Sequence, residues 1–239
     1  MINGKSHSRR LIDKIRLVSV RRDRAAHAFW THPDLRVLYP ALLCNIHSVI
    51  RASVPLMEAA QAAARVRADR DPVAACVAGY LARHIPEEKD HDEWLLDDLE
   101  ALDFDRAQVA QRIPSATVAA MVGSQYYWAA HVHPICILGY LAVLEGEPAS
   151  VDFLESVIVR TQLPRAAFRS FLKHAHLDQH HRAELYAALD EMPLTPEHTA
   201  SLGLSAMQTV HLLGISFEEL VRFHALQASP AGVGECSLT

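Results

Sequence analysis

The feature that most constrains the fold of this chain is a series of alanine- and leucine-rich stretches separated by short proline-bearing turns. Runs rich in valine, isoleucine or threonine, which favour β-strands, are few, and the 239 residues include only nine glycines. Turn signals at residues 69–72, 146–148 and 193–196 divide the chain into helical segments with short connections. We therefore predict an all-α fold, a single-domain bundle of about seven or eight helices.

The boundaries of these helices follow from capping residues and prolines. Pro72 suits a first helical position, and Gly146 with Pro148 ends a long apolar segment. Pro86 and Pro134 lie inside predicted helices and are expected to kink them. The predicted helices cover residues 8–30, 35–67, 72–102, 116–145, 149–161, 163–189 and 197–226.

Both ends of the chain differ from its middle. Residues 1–30 are rich in arginine and lysine but lack the apolar core of a secretory signal, so we predict a basic N-terminal segment or helix that is exposed to solvent, with a docking arm as the alternative. Residues 227–239 contain several glycines and serines and predict a flexible tail. Residues 31–226 then form the helical domain.

Charge and cysteine usage narrow the functional class. A formal charge of −5 argues against a nucleic-acid partner, and no run of about 18 apolar residues free of polar interruption suggests a membrane span. The four cysteines form no C-x-x-C pair, which argues against a zinc ribbon or a disulfide framework and favours a reducing, cytoplasmic location. These cysteines are Cys44, Cys76, Cys136 and Cys236.

Histidine is unusually frequent, and three polar side chains share one stripe of the predicted helix 163–189. His174, Asp178 and His181 fall within about 60° of one another on a helical wheel. Two imidazoles and a carboxylate in this arrangement are typical of a metal site, although a solvated polar stripe gives the same pattern. His176 and His180 lie on the opposite side.

A second cluster lies in the predicted helix 72–102. Glu88 and His91 have the Glu-x-x-His spacing of carboxylate-bridged di-metal bundles, and His84 lies one turn earlier on the same stripe. Two isolated carboxylates, Glu58 and Glu145, could complete such a site from the remaining core helices, although either could also lie at the surface. Carboxylates bridge two cations, and neutral imidazoles cap each metal.

These residues resemble a known family. Over residues 35–225 the chain is similar to the haem-oxygenase-like di-metal oxidases, often called iron-containing redox enzymes, which share a fold with haem oxygenase, thiaminase II and pyrroloquinoline-quinone synthase. The motif His174-x-x-x-Asp178-x-x-His181 and the preceding Leu144-Glu145-Gly146 carry the likeness most specifically, with Asp97-Asp98-Leu99 in support.

The resemblance implies a set of metal ligands. Glu88 matches an additional carboxylate at or near the site in some members, and His84 stands where certain members place a carboxylate. The implied ligands are Glu58, His91, Glu145, His174, Asp178 and His181.

The resemblance also implies a function. Two ferrous ions would react with dioxygen as co-substrate, and a small amino acid, a fatty acid or a derivative would undergo C–C cleavage, desaturation, hydroxylation or N-oxygenation in specialised metabolism. A small amino acid is the favoured substrate on family grounds. A homodimer and a substrate attached to a carrier protein are both compatible with this hypothesis.

Substrate-binding residues are predicted on the helix before Glu145. Gln125, Tyr127 and His131 could orient a substrate carboxylate or amine, and Arg160 or Arg165 could clamp a carboxylate.

Four rival functions remain open. A haem oxygenase would use His47 as its proximal ligand, and thiaminase-type chemistry would use Cys136 as its nucleophile. A cofactorless quinone-synthase-like oxidase would need no metal. A non-enzymatic helical binding or metal-storage protein would lack dioxygen chemistry altogether.

Overall fold

The computed structural model describes residues 6–228, and this part of the chain contains α-helices and no strand. The prediction of an all-α bundle is confirmed, but the helices number eleven because several predicted segments are divided. Their bounds are α1 (His7–Val18), α2 (Val20–Trp30), α3 (Leu35–Arg67), α4 (Pro72–Glu88), α5 (His91–Glu100), α6 (Arg106–Ala110), α7 (Ala116–Tyr127), α8 (Cys136–Leu144), α9 (Val151–Thr161), α10 (Arg169–Glu191) and α11 (Pro196–Ala228). The predicted tail, residues 227–239, lies almost entirely outside the described residues.

Two long helices, α3 and α11, organise the bundle. α3 packs against α4, α5 and α7, and α11 packs against α1, α2 and α8. Pro40 and Pro55 lie inside α3 without ending it. By length and composition alone both helices are apolar enough to cross a membrane, but half of the most apolar window of each is buried inside the bundle. Burial of this kind is what core helices of a bundle require.

The apolar interior consists of two clusters of buried side chains. One surrounds Leu56 and Tyr140 between α3, α4, α8 and α11, and the other surrounds Tyr39 and Phe168 between α2, α3, α5 and α10. Tyr39 stacks on Phe168 with ring centroids 4.3 Å apart and donates a hydrogen bond of 3.0 Å to the carbonyl of Ala167. Burying each such side chain contributes about 1.5–3 kcal/mol.

The basic N-terminal segment is part of the bundle. It forms two helices rather than the single predicted helix 8–30, and they meet at Ser19, whose hydroxyl donates to the carbonyl of Ile15 at 2.7 Å. Leu11 and Phe29 are buried, and Ser8 donates from its amide and its hydroxyl to Asp190 at 2.7 and 2.8 Å. The charged face of these helices is solvated while their apolar face closes the core.

Two predicted helices are interrupted, one of them at the site. The segment 72–102 breaks between Glu88 and His91 because Asp90 adopts a left-handed conformation with φ 65°, whereas Pro86 does not end α4. The segment 116–145 passes through a π-helical turn, Trp128–Val132, and an extended His133 before α8 begins. A short helix, α6, occupies a stretch for which no helix was predicted.

Candidate metal centre

Seven histidine and carboxylate side chains converge between the end of α4, the start of α5, the end of α8 and the middle of α10. Each is buried or half-buried, which is unusual for charged groups that lack a counter-charge. They are His84, Glu88, His91, Glu145, His174, Asp178 and His181.

α10 supplies the stripe that the sequence predicts. Asp178 and His181 are buried and His174 is half-buried, whereas His176 and His180 are exposed on the other side of the helix. His174 donates from Nδ1 to the carbonyl of Ser170 at 2.8 Å. Because Nδ1 then carries the proton, the Nε2 lone pair is free to bind a metal ion.

The start of α10 is fixed by a residue that the sequence analysis did not single out as functional. Asp98 is fully buried, and its Oδ2 accepts a hydrogen bond of 2.9 Å from the amide of Ser170, one turn before His174. Burial raises the pKa of Asp98 despite this bond. The only indication of Asp98 in the sequence was the stretch Asp97-Asp98-Leu99, which resembles the family pattern. We infer that Asp98 positions His174 through Ser170.

Glu88 and His91 meet across the break between α4 and α5. They were predicted on one continuous helical face, but Glu88 ends α4 and His91 begins α5. Their side chains nevertheless approach, with His91 Nδ1 3.1 Å from Glu88 Oε2. The ring of Trp94 packs against His91 at a centroid distance of 4.0 Å and limits its rotation.

Glu145 reaches the cluster from the C-terminal end of α8. Its Oε1 lies 3.2 Å from Nε2 of His84, and Tyr80 stacks on the other side of that imidazole with centroids 5.3 Å apart. The following glycine is required by close packing, since a Cβ at Gly146 would lie 2.1 Å from the carbonyl oxygen of Ala142. The Leu144-Glu145-Gly146 sequence therefore lets the chain turn at the point where the carboxylate enters the site.

The cluster consists of two three-residue groups that share Glu88. In the first group, formed with His84 and His181, and in the second, formed with His91 and His174, the potential ligand atoms all lie within 4.8 Å of one another. Each group has its own pair of imidazoles, whose ring centroids are 4.9 Å apart in the first and 5.0 Å apart in the second. A shared carboxylate between two imidazole pairs is the donor arrangement of a two-metal site.

Two of the three buried carboxylates, Asp178 and Glu145, lack sufficient counter-charge from the protein, whereas for Glu88 the hydrogen bond and charge of His91 outweigh burial and lower its pKa. Burial raises the pKa of Asp178 to about 8, and the neighbouring Glu145 and Glu88 add to the effect. The pKa of Glu145 is also raised by burial, although its hydrogen bond to His84 opposes the shift. These directions show that the site favours additional positive charge.

Buried polar atoms that lack a hydrogen-bond partner are found in this cluster. Five buried atoms of the cluster have no hydrogen-bond partner, although buried polar atoms in proteins are normally satisfied. They are His84 Nδ1, Glu88 Oε1, Glu145 Oε2, Asp178 Oδ1 and His181 Nδ1. His181 Nδ1 and Glu88 Oε1 lie 3.3 Å apart without forming a hydrogen bond, and carboxylate oxygens and imidazole nitrogens placed in this way fit one or two divalent transition-metal ions.

The structure corrects the assignment of Glu58. Its side chain is exposed on α3, because Leu56, Met57 and Ala60 occupy the face of the helix that packs into the core. Glu58 belongs to neither of the two groups of potential ligands. Glu88, rather than Glu58, supplies the third carboxylate of the cluster, beside Glu145 and Asp178.

A cavity of about 380 Å³ adjoins the cluster. Of the seven cluster residues, His174 and Asp178 line it, and the rest of its wall comes from α2, α3, α5, α7, α8, α10, α11 and the loop after α8. Ligand pockets in proteins have volumes of about 300–1,000 Å³. The cavity is therefore large enough for a small molecule and opens directly onto two of the potential metal ligands.

None of the predicted substrate-binding residues lines this cavity. Gln125 is buried between helices and accepts a hydrogen bond of 2.8 Å from the hydroxyl of Ser205 on α11. Tyr127 and His131 are exposed and pack on each other at the surface, with ring centroids 4.9 Å apart. The prediction is therefore corrected: Gln125 and Tyr127 lie on regular turns of α7, where Gln125 faces α11 and Tyr127 faces solvent, and His131 lies exposed in the π-helical turn that follows.

The two candidate arginine clamps are also engaged elsewhere. Arg165 pairs with Glu155 and Arg160 donates to the carbonyl of Trp30, both in exposed positions. His47 is buried and Cys136 is buried with a pKa raised by burial to about 11, and neither lines the cavity. A proximal haem ligand or a reactive thiol would have to face that space.

Comparisons with known proteins identify a family and a fold for this chain. A family model described as "iron-containing redox enzyme" matches residues 59–214. A crystal structure from Shewanella denitrificans, described as a domain of unknown function with a haem-oxygenase-like fold, superposes with a TM-score of 0.74 at 19% identity, covering 95% of this chain and 93% of that one. A TenA homologue from Pseudomonas syringae superposes with a TM-score of 0.67 at 14% identity, covering 90% and 92%. No curated protein matches the chain.

Proposed function

This chain belongs to the iron-containing redox enzyme family, and from that premise we propose that it is a non-haem di-iron oxidoreductase that uses dioxygen. The family description and the haem-oxygenase-like fold support an iron-dependent redox enzyme. The number of metal ions and the oxidant are the parts that we infer from the site.

One observation carries the proposal: Glu88 belongs to both groups of potential ligands. A mononuclear site would need only one group of three or four donors, and the second pair of imidazoles would then be buried without a function. Two metals joined by Glu88 would use both pairs and offset the charge of three buried carboxylates.

The cluster divides between the two metals as follows. His84, His181 and Glu145 would hold one iron, His91 and His174 would hold the other, and Glu88 would bridge them. Asp178 lines the cavity and would add a further carboxylate to these ligands. When bound, ferrous iron supplies the electrons and open coordination positions that dioxygen reduction needs.

The protein's own residues orient the ligands and shield them from water. The carbonyl of Ser170 holds the imidazole of His174 in one tautomer, and Glu87 lies 3.5 Å from Nε2 of His181. Trp94 and Tyr80 cover the outer imidazole faces of His91 and His84. Such fixed surroundings hold a reactive centre in place and restrict access to molecules that enter through the cavity.

The reaction catalysed is an oxidation of a small organic molecule. C–C cleavage, desaturation, hydroxylation and N-oxygenation are all compatible with the site, because the outcome depends on the substrate rather than on the fold. Thiaminase-type chemistry is disfavoured, since no cysteine of the described residues lines the cavity. A cofactorless oxidase would leave the unsatisfied ligand atoms unexplained.

Iron stoichiometry tests the proposal. Reconstitution of the metal-free protein with ferrous iron under argon should give two irons per chain, measured by elemental analysis, with exchange coupling between the ferric ions visible by Mössbauer spectroscopy after oxidation. Dioxygen consumption by the reconstituted protein should exceed that of the metal-free protein.

Variants on α10 provide matched controls. His174→Ala and His181→Ala should each lose iron while keeping their helical circular dichroism. His176→Ala and His180→Ala lie on the exposed side of the same helix and should keep both irons. A wild-type protein that saturates with one uncoupled iron would refute the di-iron proposal, and iron loss in the two control variants would refute the ligand assignment.

A further inference from the structure

A second cavity, of about 210 Å³, lies between α1, the end of α8 and α10. It shares Arg22, Val143 and Glu147 with the cavity that adjoins the metal cluster, so the two spaces are neighbours. None of the seven cluster residues lines the second cavity. It is therefore a separate space, and its own lining determines which ligand it could bind.

The lining of the second cavity carries an excess of positive charge, because it contains three arginines and one glutamate. Arg22 is already engaged, since its Nη2 lies 2.6 Å from Asp23 Oδ1 and 2.9 Å from Glu147 Oε2. The other two arginines, Arg16 and Arg182, form no ion pair with any carboxylate of the described part of the chain. Two guanidinium groups without a counter-charge therefore border the same small space.

Both unpaired arginines lie near one hydroxyl group, that of Tyr186 on α10. Burial, with the charge of Glu147, raises the pKa of Tyr186, and the positive charges of Arg182 and Arg16 oppose that shift. Arg182 donates from Nη1 to the carbonyl of Gly146 at 3.3 Å, and a Cβ at Gly146 would lie 3.3 Å from the Tyr186 hydroxyl oxygen. This hydroxyl forms no hydrogen bond with another described residue. An arginine has five N–H donors, so the two guanidinium groups and the phenol can all donate to one ligand.

The charge and the donors of this cavity suit a phosphate group better than a carboxylate. A phosphate ester carries a charge of about −1.5 to −2 at pH 7 and has three acceptor oxygens on one atom. A carboxylate carries a single charge, which would leave one of the two guanidinium groups uncompensated. Arginine also donates two parallel hydrogen bonds to phosphate. Since a water molecule occupies about 30 Å³, the volume of about 210 Å³ is sufficient for a phosphate with a small organic substituent.

We propose that the second cavity binds a phosphate group, either as inorganic phosphate or as a small phosphate monoester, between Arg16, Arg182 and Tyr186. The inference does not depend on the proposed function, because none of these residues belongs to the metal cluster. Arg182 nevertheless follows His181 directly in α10. A bound phosphate would connect α1 to the turn of α10 that carries this cluster residue, and it should therefore increase the free energy of unfolding.

Isothermal titration calorimetry of the full-length protein tests the proposal. Inorganic phosphate and methyl phosphate are titrated at about pH 8, where both are dianions, into the protein as isolated and after chelator treatment. Succinate serves as a dianion whose charge is divided between two carboxylates. We expect one phosphate per chain in both preparations, bound more weakly as the salt concentration rises. Tighter binding of methyl phosphate would identify an ester as the ligand, and tighter binding of inorganic phosphate would identify the free ion.

Two of these results would overturn the proposal. Succinate that binds as tightly as either phosphate would show that the cavity does not recognise a phosphate group. Phosphate binding that disappears after chelator treatment would show that the anion sits on a metal ion instead.

Matched variants that each remove one positive charge locate the site. Arg16→Gln and Arg182→Gln should each weaken phosphate binding about tenfold or more, because charge-assisted hydrogen bonds are the strong ones. Arg10→Gln on α1 and Arg169→Gln on α10 are exposed positions outside the cavity and should change the affinity by less than about twofold. Arg16 is also exposed, so its variant should fold even if Arg182→Gln does not. Equal weakening in all four variants, or unchanged binding by Arg16→Gln, would refute the proposed site.

Discussion

The Nε2 atom of His84 lies 3.2 Å from Oε1 of Glu145, and this contact joins the last turn of α4 to the end of α8. Burial lowers the pKa of His84, but the hydrogen bond and the charge of Glu145 outweigh burial and raise it. The pKa of Glu145 is raised as well, so in the metal-free protein a proton shared between the two groups holds the pair together. A metal ion would replace that proton, because ligand imidazoles must be neutral.

Removing either member of this pair should reduce iron binding. We expect His84→Ala and Glu145→Gln each to bind one iron or fewer per chain, because His84 belongs to the group with Glu88 and His181, and Glu145 lies within 4 Å of both of its imidazoles. Elemental analysis after anaerobic reconstitution gives the count. Glu58→Ala is the control, since that carboxylate is exposed on α3, and it should keep two irons. A Glu58 variant that loses iron would restore the original assignment.

The stability of the metal-free protein should depend on pH through Asp178. Burial, with Glu145 and Glu88, raises the pKa of Asp178 to about 8 in the folded state, whereas an unfolded aspartate titrates near 3.9. Between these values the folded chain binds a proton that the unfolded chain does not. The free energy of unfolding should therefore decrease as pH rises from about 4 to about 8, by up to about 1.4 kcal/mol per unit.

Urea denaturation at a series of pH values in that window measures this slope. Asp178→Asn has no titratable group at the position, so its free energy of unfolding should fall less steeply than that of the wild type. The comparison must use chelator-treated protein, because a bound metal would keep Asp178 ionised. Parallel slopes in the two proteins would show that Asp178 is already ionised in the folded state.

Asp98 should affect both stability and metal affinity. It accepts the amide of Ser170 at 2.9 Å, and Ser170 in turn accepts Nδ1–H of His174. Asp98→Ala removes the acceptor and should cost about 1–2 kcal/mol of unfolding free energy, as loss of a helix N-terminal acceptor does. Competition with a chromophoric chelator should show weaker metal binding. Asp97→Ala removes an exposed partner of Arg106 and should change metal affinity little.

Helical periodicity was sufficient to predict the α10 part of the site. The spacing of His174, Asp178 and His181 places them on one face of any regular helix, and the structure keeps that face inward. The meeting of Glu88 with His91 was also predicted, but the break between them was not, because a left-handed aspartate such as Asp90 has no reliable signal in a single sequence.

The incorrect site assignments concern residues whose direction on their helix could not be deduced from the sequence. Glu58 is an isolated acid in an apolar helix, and periodicity does not show which residues of such a helix face a neighbour. Gln125 and Tyr127 likewise lie on regular turns of α7, and their spacing does not show that one faces α11 and the other solvent, whereas His131 lies in a π-helical turn that the sequence did not predict. Tertiary contacts determine both features.

Gln125 should prove structural rather than substrate-binding. It is 1% exposed, accepts the hydroxyl of Ser205 at 2.8 Å and faces Thr209 at 3.5 Å, so it connects α7 to α11. Gln125→Leu would leave the buried Ser205 hydroxyl without this acceptor, and we expect a loss of about 1–3 kcal/mol of unfolding free energy with unchanged iron content. Tyr127→Ala, at an exposed position, should change stability by less than about 0.5 kcal/mol. If Gln125→Leu instead kept wild-type stability and altered ligand binding, the residue would face the substrate after all, and the orientation of α7 would have to be revised.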